Sequence, residues 1–408
     1  MTQSKGILRH IGPGLITAAV VLGPGSIVAS SRAGAEAGYS LVWVLLLACI
    51  LMAVFTAMGA RLGCALRVTP LTYVAERAGR PVAVLIGLSA FLVTAGFQFG
   101  NNIGVSVGLG AVTGWPMWIW PPFFTALSLA FFFLARDLYR WFERLIIALI
   151  ALMIVCFMTN LFWTGVAPGN FARGLVPNVF TPRELLIAGA MFATTFSAVA
   201  AFYQAYLVRE KGWRQENIHT AIGDARAGIA TLGIIALVIM TGAAQVLHGK
   251  EGDFASVGAL ANQLRGPLGN LALIVYGIGL AAASFSSFIA NALIGGAMLA
   301  DGLGMACRVG DRPTRWFTAC VMLIGCGVAQ AIFLAGQGST TSLLVAQSAT
   351  LIAAPVCAIL LYALTTSRNV MGALRNRWPT LAAGALGLLV MAWLFYFTAM
   401  SIVERVTG

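Results

Sequence analysis

The chain has 408 residues, 60% of them hydrophobic and only 9% charged, with a mean hydropathy of +0.90. Soluble domains carry about 25% charged residues, so this composition excludes a soluble globular enzyme or a free-standing binding module and implies a polytopic membrane protein. The net charge of +12 does not signal nucleic acid, because the basic residues lie in short loops between apolar runs.

The polar start, Met1 to His10, has no small-residue cleavage site, so no removable signal peptide is expected. Eleven spans are predicted from runs that reach the roughly 20 apolar residues a bilayer requires. Span 1 covers 12–34 and is interrupted at Gly23-Pro24-Gly25-Ser26. Proline lacks the N–H that would continue a helix, and in hydrocarbon the freed backbone groups must find partners inside the protein or in a water-filled cavity. A broken span at the membrane midplane is the usual sequence pointer to a transporter's binding site; a simple kink in a packing helix is the competing reading. Spans 2 to 5 cover 39–66, 82–112, 116–135 and 142–165, and spans 6 to 8 cover 184–208, 221–247 and 268–300. Spans 9 to 11 cover 315–335, 340–365 and 379–402.

With the N-terminus inside, nineteen of the 25 basic residues fall on the cytoplasmic side, and only Arg32, Arg173, Arg183, Lys250, Arg265 and Arg405 fall outside. This positive-inside bias predicts a cytoplasmic N-terminus and an extracytoplasmic C-terminus. An integral protein of a bacterial inner (plasma) membrane is expected, whose basic loops contact lipid and not nucleic acid. The seven cysteines form no CxxC or CxxH pair and are expected to be buried thiols without disulfides or zinc.

All thirteen acidic residues and the three histidines are placed in loops or at helix ends. The predicted membrane interior therefore holds no carboxylate or imidazole, the groups that ion-coupled pumps use as relays and ligands. Neutral polar residues remain: Gln98, Asn101 and Asn102 in span 3; Thr194, Thr195, Ser197, Tyr203 and Gln204 in span 6; Ser284, Ser286, Ser287 and Asn291 in span 8; Gln347, Ser348 and Thr350 in span 10. Most single hydroxyls are expected to serve interhelical hydrogen bonding worth about 1 kcal/mol. Gln98 and Asn101, three apart on one helix face, and Gln347 are harder to assign to packing alone.

The chain resembles the Nramp family of divalent-metal transporters over nearly its whole length. The resemblance rests on Gly12-Pro13-Gly14, the broken Gly23-Pro24-Gly25-Ser26, Arg32-Ala33-Gly34-Ala35, Gly38-Tyr39, Trp43-Val44-Leu45-Leu46 and Ala60-Arg61-Leu62-Gly63. Late in the chain it continues through Leu343-Leu344-Val345-Ala346-Gln347, Pro355, Thr366-Ser367-Arg368, Val370-Met371-Gly372 and Arg375-Asn376-Arg377-Trp378. It implies an all-α, LeuT-type fold in which 12–165 (spans 1–5) and 184–365 (spans 6–10) are inverted repeats, span 11 (379–402) is additional, and spans 1 and 6 unwind around a central site. The family carries Asp-Pro-Gly-Asn at the first break and Met-Pro-His at the second; the matching positions here are Gly23 and Ser26, and Ser197, Ala198 and Val199. The family's Asp and Glu for proton movement in span 3 align with Gln98 and Asn101, and only the span-10 glutamine is kept, as Gln347. Span 6 has no Pro or Gly between 191 and 200, which leaves its unwinding in question.

No nucleophile–base pair or metal cluster points to an enzyme, and no cofactor is expected. The leading expectation is a secondary transporter of a small organic solute, such as a carboxylate or amino-acid-like compound. Its expected site comprises Gly23, Gly25, Ser26, Thr194, Ser197 and Gln347, with no bound metal and with Gln98 and Asn101 as neutralised proton-path positions. The alternatives are a divalent-cation transporter (manganese or magnesium) with an unorthodox site, and a non-transporting sensor on a transporter fold. Cysteines introduced at Arg173 and Lys250 are expected to react with an impermeant thiol reagent from outside, and cysteines at Arg140 and Arg312 only after permeabilisation; the reverse pattern sinks the orientation.

Overall fold

A computed structural model describes residues 12–133, 136–177, 181–250, 252–336, 340–350 and 354–407, with the side chains of 136–143, 145, 182, 183, 345–349 and 398–407 outside the description. The described regular structure is helical: α1 (Pro13–Val21), α2 (Pro24–Ala37), α3 (Val42–Ala65), α4 (Pro70–Ala78), α5 (Arg80–Thr113), α6 (Trp120–Phe133), α7 (Arg136–Thr164), α8 (Pro168–Arg173), α9 (Pro182–Thr195) and α10 (Ala198–Glu210). It continues with α11 (Ile218–Leu247), α12 (Val257–Ala261), α13 (Arg265–Leu268), α14 (Ala272–Gly302), α15 (Arg312–Leu334), α16 (Thr340–Ala349), α17 (Ala354–Thr366), α18 (Arg368–Met371) and α19 (Trp378–Thr407). Among the described residues eight helices are long and apolar enough to cross a membrane, or ten when each of two bent pairs counts as one span, with Met117–Phe133 a shorter apolar helix. Helices occupy the predicted segments as far as they are described; the tenth, 340–365, is shared by α16 and α17, and residues 134–135 of the fourth and 351–353 of the tenth lie outside the described residues. Short helices α4, α8, α12 and α13 lie in stretches read as loops, where the hydrophobic run is too brief to register.

The first span breaks where the sequence said it would. α1 stops at Val21, Leu22 and Gly23 leave helical geometry, and α2 starts with Pro24 at its first position; the two halves meet at 60°. Pro24 has no N–H for the carbonyl of Val20, four residues back. That carbonyl instead accepts from Ser287 Oγ (2.8 Å) and Asn291 Nδ2 (3.5 Å) on α14. The next carbonyl, Val21, accepts from Gly23 N (2.8 Å) and Ser26 Oγ (2.8 Å). Backbone groups freed inside a membrane protein are thus satisfied by neighbouring polar side chains.

The sixth span breaks too, without Pro or Gly. Phe196 (φ −98°, ψ 87°) and Ser197 (φ −97°, ψ 97°) are non-helical between α9 and α10. Ser197 Oγ caps α10 by accepting from Ala200 N (3.3 Å), the usual N-cap arrangement. The Phe196 ring sits 5.0 Å from that of Phe55 and 5.3 Å from that of Phe192, which anchors the extended backbone between the halves. Ser26 Oγ also reaches the carbonyl of Thr194 (3.2 Å), so one hydroxyl ties the two breaks together.

The most extensive helix pair is α5 with α14, and α11 runs along α1, α2 and α3. Glycines allow the closest approaches: a Cβ on Gly34 runs into the Met240 carbonyl of α11, and one on Gly228 of α11 into the Gly14 carbonyl of α1. The outward surface carries apolar side chains such as Leu85, Val155, Phe162, Ile234, Trp316 and Leu389, as lipid contact requires. All seven cysteines are free, but only Cys64, Cys156 and Cys357 are buried; Cys320 is exposed on the apolar face of α15, which corrects the expectation of buried thiols throughout.

Two of the acidic residues expected in loops or at helix ends have partners. Glu36 is the penultimate residue of α2, and its Oε1 pairs with Arg32 Nε (2.6 Å), both side chains being largely buried. Asp224 lies inside α11, where its Oδ2 accepts from Gly14 N (2.6 Å) at the start of α1. Substituting Gly34→Val is expected to destabilise the fold by about 1–3 kcal/mol through overpacking against α11. Gly327→Ala, whose added methyl meets nothing within 4 Å, is expected to be neutral or mildly stabilising. Thermal unfolding in detergent checks both, and equal effects contradict the close-approach argument.

Candidate functional site

The two breaks face each other across a small cavity near the middle of the helical bundle. From the first break come Val20, Val21, Gly23, Gly25 and Ser26. From the second come Thr194 and Ser197; α5 adds Phe97 and Asn101, and α14 adds Ser287 and Asn291. The space between them is about 10 Å³ for the centre of a water-sized sphere, roughly what one water needs on that measure.

Five of the six residues expected in the site are brought together: Gly23, Gly25, Ser26, Thr194 and Ser197. Gln347 falls in α16, but its side chain lies outside the described residues. The expected roles of the hydroxyls change. Ser26 donates to the Val21 and Thr194 carbonyls, Thr194 Oγ1 donates to Met191 O (3.1 Å), and Ser197 is the α10 cap. Each hydroxyl therefore has a structural duty that the sequence alone did not reveal, and Ser26 in particular spends its donor on the backbone.

Asn101 is both a cavity residue and a partner of Gln98. Its Nδ2 donates to Gln98 Oε1 (2.9 Å), while Gln98 Nε2 donates to Phe288 O (2.6 Å). Gln98 is completely buried against Gly325 of α15 and does not line the cavity. One of the two Asn101 N–H groups is committed to Gln98, which fixes the amide and leaves its carbonyl oxygen, an acceptor, and one N–H. On the opposite wall Asn291 Nδ2 donates to Ser287 Oγ (2.8 Å) and Ser287 O (3.0 Å). Its amide nitrogen is occupied in the same way. Ser287 and Asn291 were visible in the sequence as polar residues of span 8, four apart and so on one helix face; what placed them at the site was the Val20 carbonyl released by Pro24.

Gly23 is required sterically. A Cβ there stands 2.9 Å from Ser287 Oγ, 3.3 Å from Ser287 Cβ and 3.7 Å from Asn101 Oδ1. The absence of a side chain at position 23 lets these two residues close over the break.

Among the described residues no titratable side chain lines the cavity. Among the described residues no group of three or more His, Cys, Asp or Glu is placed to hold a metal ion. The buried carboxylate of Asp301 lies at the end of α14 and is satisfied by Thr69 Oγ1 (2.6 Å), Thr72 Oγ1 (2.7 Å), Leu71 N (3.0 Å) and Tyr206 Oη (2.6 Å). It pins the start of α4 and the face of α10 to α14, and it takes no part in the cavity.

Residues 14–401 match the family model described as natural resistance-associated macrophage protein-like. A divalent metal cation transporter, MntH, of Mycobacterium tuberculosis is 25% identical over 408 aligned residues, covering 98% of this chain and 92% of the relative. The MntH of Bacillus subtilis is 26% identical over 402, covering 95% and 91%. Among solved structures, the manganese transporter of Eremococcus coleocola, in complex with an aromatic bis-isothiourea substituted compound, superposes with a TM-score of 0.81 at 16% identity, covering 100% of this chain and 90% of that one. MhsT in complex with L-phenylalanine superposes with a TM-score of 0.61 at 16% identity, covering 98% and 99%. These likenesses establish a LeuT-like helical membrane fold.

Gly23→Asp alone is expected to destabilise the protein by about 1–3 kcal/mol because the new side chain collides with Ser287. The double variant Gly23→Asp with Ser287→Gly is expected to recover most of that loss. A double-mutant cycle on melting temperature measures the coupling; additive losses contradict the contact.

Proposed function

The chain belongs to the Nramp-like family of membrane transporters, and from that premise we propose that it is a secondary transporter moving a small divalent cation by alternating access. The observation that carries this reading is the cavity between the two breaks: it has the size of a single ion or water, and the polar groups on its walls are neutral oxygen donors. Relatives over the whole chain are divalent metal cation transporters, which favours the cation over the organic solute that the sequence suggested first. The proposed architecture is eleven spans, with 12–165 and 184–365 as inverted repeats, an N-terminus in the cytoplasm of a bacterial plasma membrane and a C-terminus outside.

The lining sets which cation. Soft transition metals favour sulfur and nitrogen ligands, whereas hard cations favour several oxygens. Here the oxygens come from Asn101, Asn291, Ser287 and the backbone, and in this reading Gly23, Ser26 and Ser197 stand where the family resemblance would put ligands. Taking a bare divalent ion out of water without a countercharge is very costly. Such a cation keeps part of its water shell, as magnesium commonly does, so it is carried at low affinity and in a more open conformation than this one, whose cavity has room for about one water. Gln98 and Asn101 do not titrate near neutral pH, so transport proceeds without protons passing along α5.

A second reading keeps the organic solute. Gly25 N–H and Ser26 N–H stand at the start of α2, whose cap Gly23 supplies no side-chain acceptor, and a helix start suits a carboxylate. A cavity of this size admits such a solute only in a more open conformation. A sensor without transport is the third possibility.

The test is flux into proteoliposomes loaded with a metal-sensitive dye, with internal pH recorded in parallel. Magnesium and manganese are expected to enter at similar rates, cadmium much more slowly, and no acidification is expected to accompany them. Absence of magnesium and manganese flux in folded protein that is instead thermally stabilised by a small carboxylate establishes the second reading; absence of flux and of any ligand response leaves the sensor.

A further inference from the structure

A second cavity lies between α1, α10 and α14, separated from the central one by Val20, which lines both. It measures about 80 Å³ for the centre of a water-sized sphere, about half of an engineered cavity of roughly 150 Å³ that binds benzene. Ile16, Val20, Leu207, Leu293 and Ile294 supply apolar wall. Three lining residues break that character: Tyr203, Glu210 and Thr17, the last hydrogen-bonded to Gln204. Tyr203 is nearly buried, its ring stacked on Tyr206 at 5.3 Å, and Tyr206 is itself held by Asp301 (2.6 Å). Glu210, the last residue of α10, also lines the cavity. The salt bridge found among the described residues is Arg32 with Glu36; Glu210 has neither an ion-pair partner nor a hydrogen bond there. The charges that reach it through space are Arg308, which attracts, and Asp311, which repels.

Glu210 faces solvent, and a carboxylate at the open rim of a mainly aliphatic cavity is a recognition pattern. A hydrated inorganic ion gains nothing from such walls, and an anion is repelled. A short aliphatic chain ending in an ammonium meets both features: apolar burial for its carbons and a charge-assisted hydrogen bond to the carboxylate. We propose that this cavity is a binding site for a small primary alkylammonium, with its alkyl chain against Ile16, Val20, Leu293 and Ile294 and its ammonium on Glu210. A ligand there stands between α1 and the α10–α14 wall. Its effect on transport, which rests on the cation-transporter reading, is to hold α1 in place and slow turnover without competing for the central cavity.

Binding is measured first, on purified full-length protein near pH 7 without added divalent metal, by thermal shift and calorimetry with n-propylammonium and n-butylammonium. At that pH an alkylammonium is charged, with a pKa of about 10.4 for the lysine analogue. A saturable rise in melting temperature is expected, with n-butanol and butyrate giving none. Glu210→Gln is expected to weaken the apparent affinity roughly tenfold or more, the loss of one charged hydrogen bond. Ala290→Leu, which fills the cavity from α14 without altering charge, is expected to abolish the shift while leaving the unliganded melting temperature close to that of the parent. Equal stabilisation by n-butanol, or an unchanged affinity in Glu210→Gln together with an unchanged shift in Ala290→Leu, overturns the site. These arms need no cargo, so they stand or fall separately from transport. Flux measurements then test inhibition: a lower maximal rate of magnesium entry at unchanged half-saturation supports a site apart from the central cavity, and a raised half-saturation alone refutes it.

Discussion

One missing N–H organises the centre of this molecule. Because Pro24 cannot bond the Val20 carbonyl, that carbonyl must be satisfied elsewhere in a medium without water. It recruits Ser287 and Asn291 from α14, and those residues become a wall of the central cavity. The next carbonyl, of Val21, recruits Ser26, whose hydroxyl also reaches Thr194 at the end of α9. The break in the first span and the break in the sixth are therefore one hydrogen-bonded unit. Neither break is a local accident of sequence: each supplies groups that the other satisfies.

The halves of the first span are held by backbone, not by long side chains. α11 touches α1 through Gly14 and Gly228 and touches α2 through Gly34 and the Met240 carbonyl. Polar contacts reinforce the ends of this seam. Asp224 caps α1 at Gly14 N (2.6 Å), where a carboxylate is favoured by the helix dipole. On α2, Arg32 pairs with Glu36 and donates to Thr341 Oγ1 of α16 (2.9 Å). Close backbone packing gains dispersion over many atoms but tolerates almost no sliding. Movement of either half must therefore part a glycine contact and a polar contact together, which makes two-state opening more natural than gradual bending.

Much of this fold was legible in sequence. Hydropathy and length located the eight helices long and apolar enough to cross a membrane, and the Gly-Pro-Gly cluster located the first break. The break at Phe196 and Ser197 was not legible, because it depends on an N-cap, an aromatic anchor and a hydroxyl from a residue 168 positions away, Ser26. Pattern rules that look for Pro or Gly miss a break stabilised by tertiary contacts. Ser287 and Asn291 were legible as polar residues but not as site residues, since only the position of α14 beside Val20 makes them so. Glu36 and Asp224 were legible as residues near helix ends, but their partners, Arg32 and the start of α1, were not.

The neutrality of the central cavity has its own internal logic. An amide offers a ligand only when its dipole is fixed, since a free amide can present nitrogen or oxygen alike. Gln98 fixes Asn101: it accepts the Asn101 amide proton and is itself held by Phe288 O. A carboxylate at position 98 would also accept from Asn101, but its charge would be buried where no cation is placed to meet it, at a cost of several kcal/mol. A glutamine performs the same orienting task without that cost, and its own N–H anchors it to α14. In this way the pair that resembles a disabled proton relay is, in geometry, a working support for a carbonyl oxygen. The same economy applies across the cavity, where Ser287 accepts from Asn291 and donates to Val20. Both amides are held through their nitrogens by neutral partners, which fixes where each carbonyl oxygen, a group of partial charge, stands at the cavity wall.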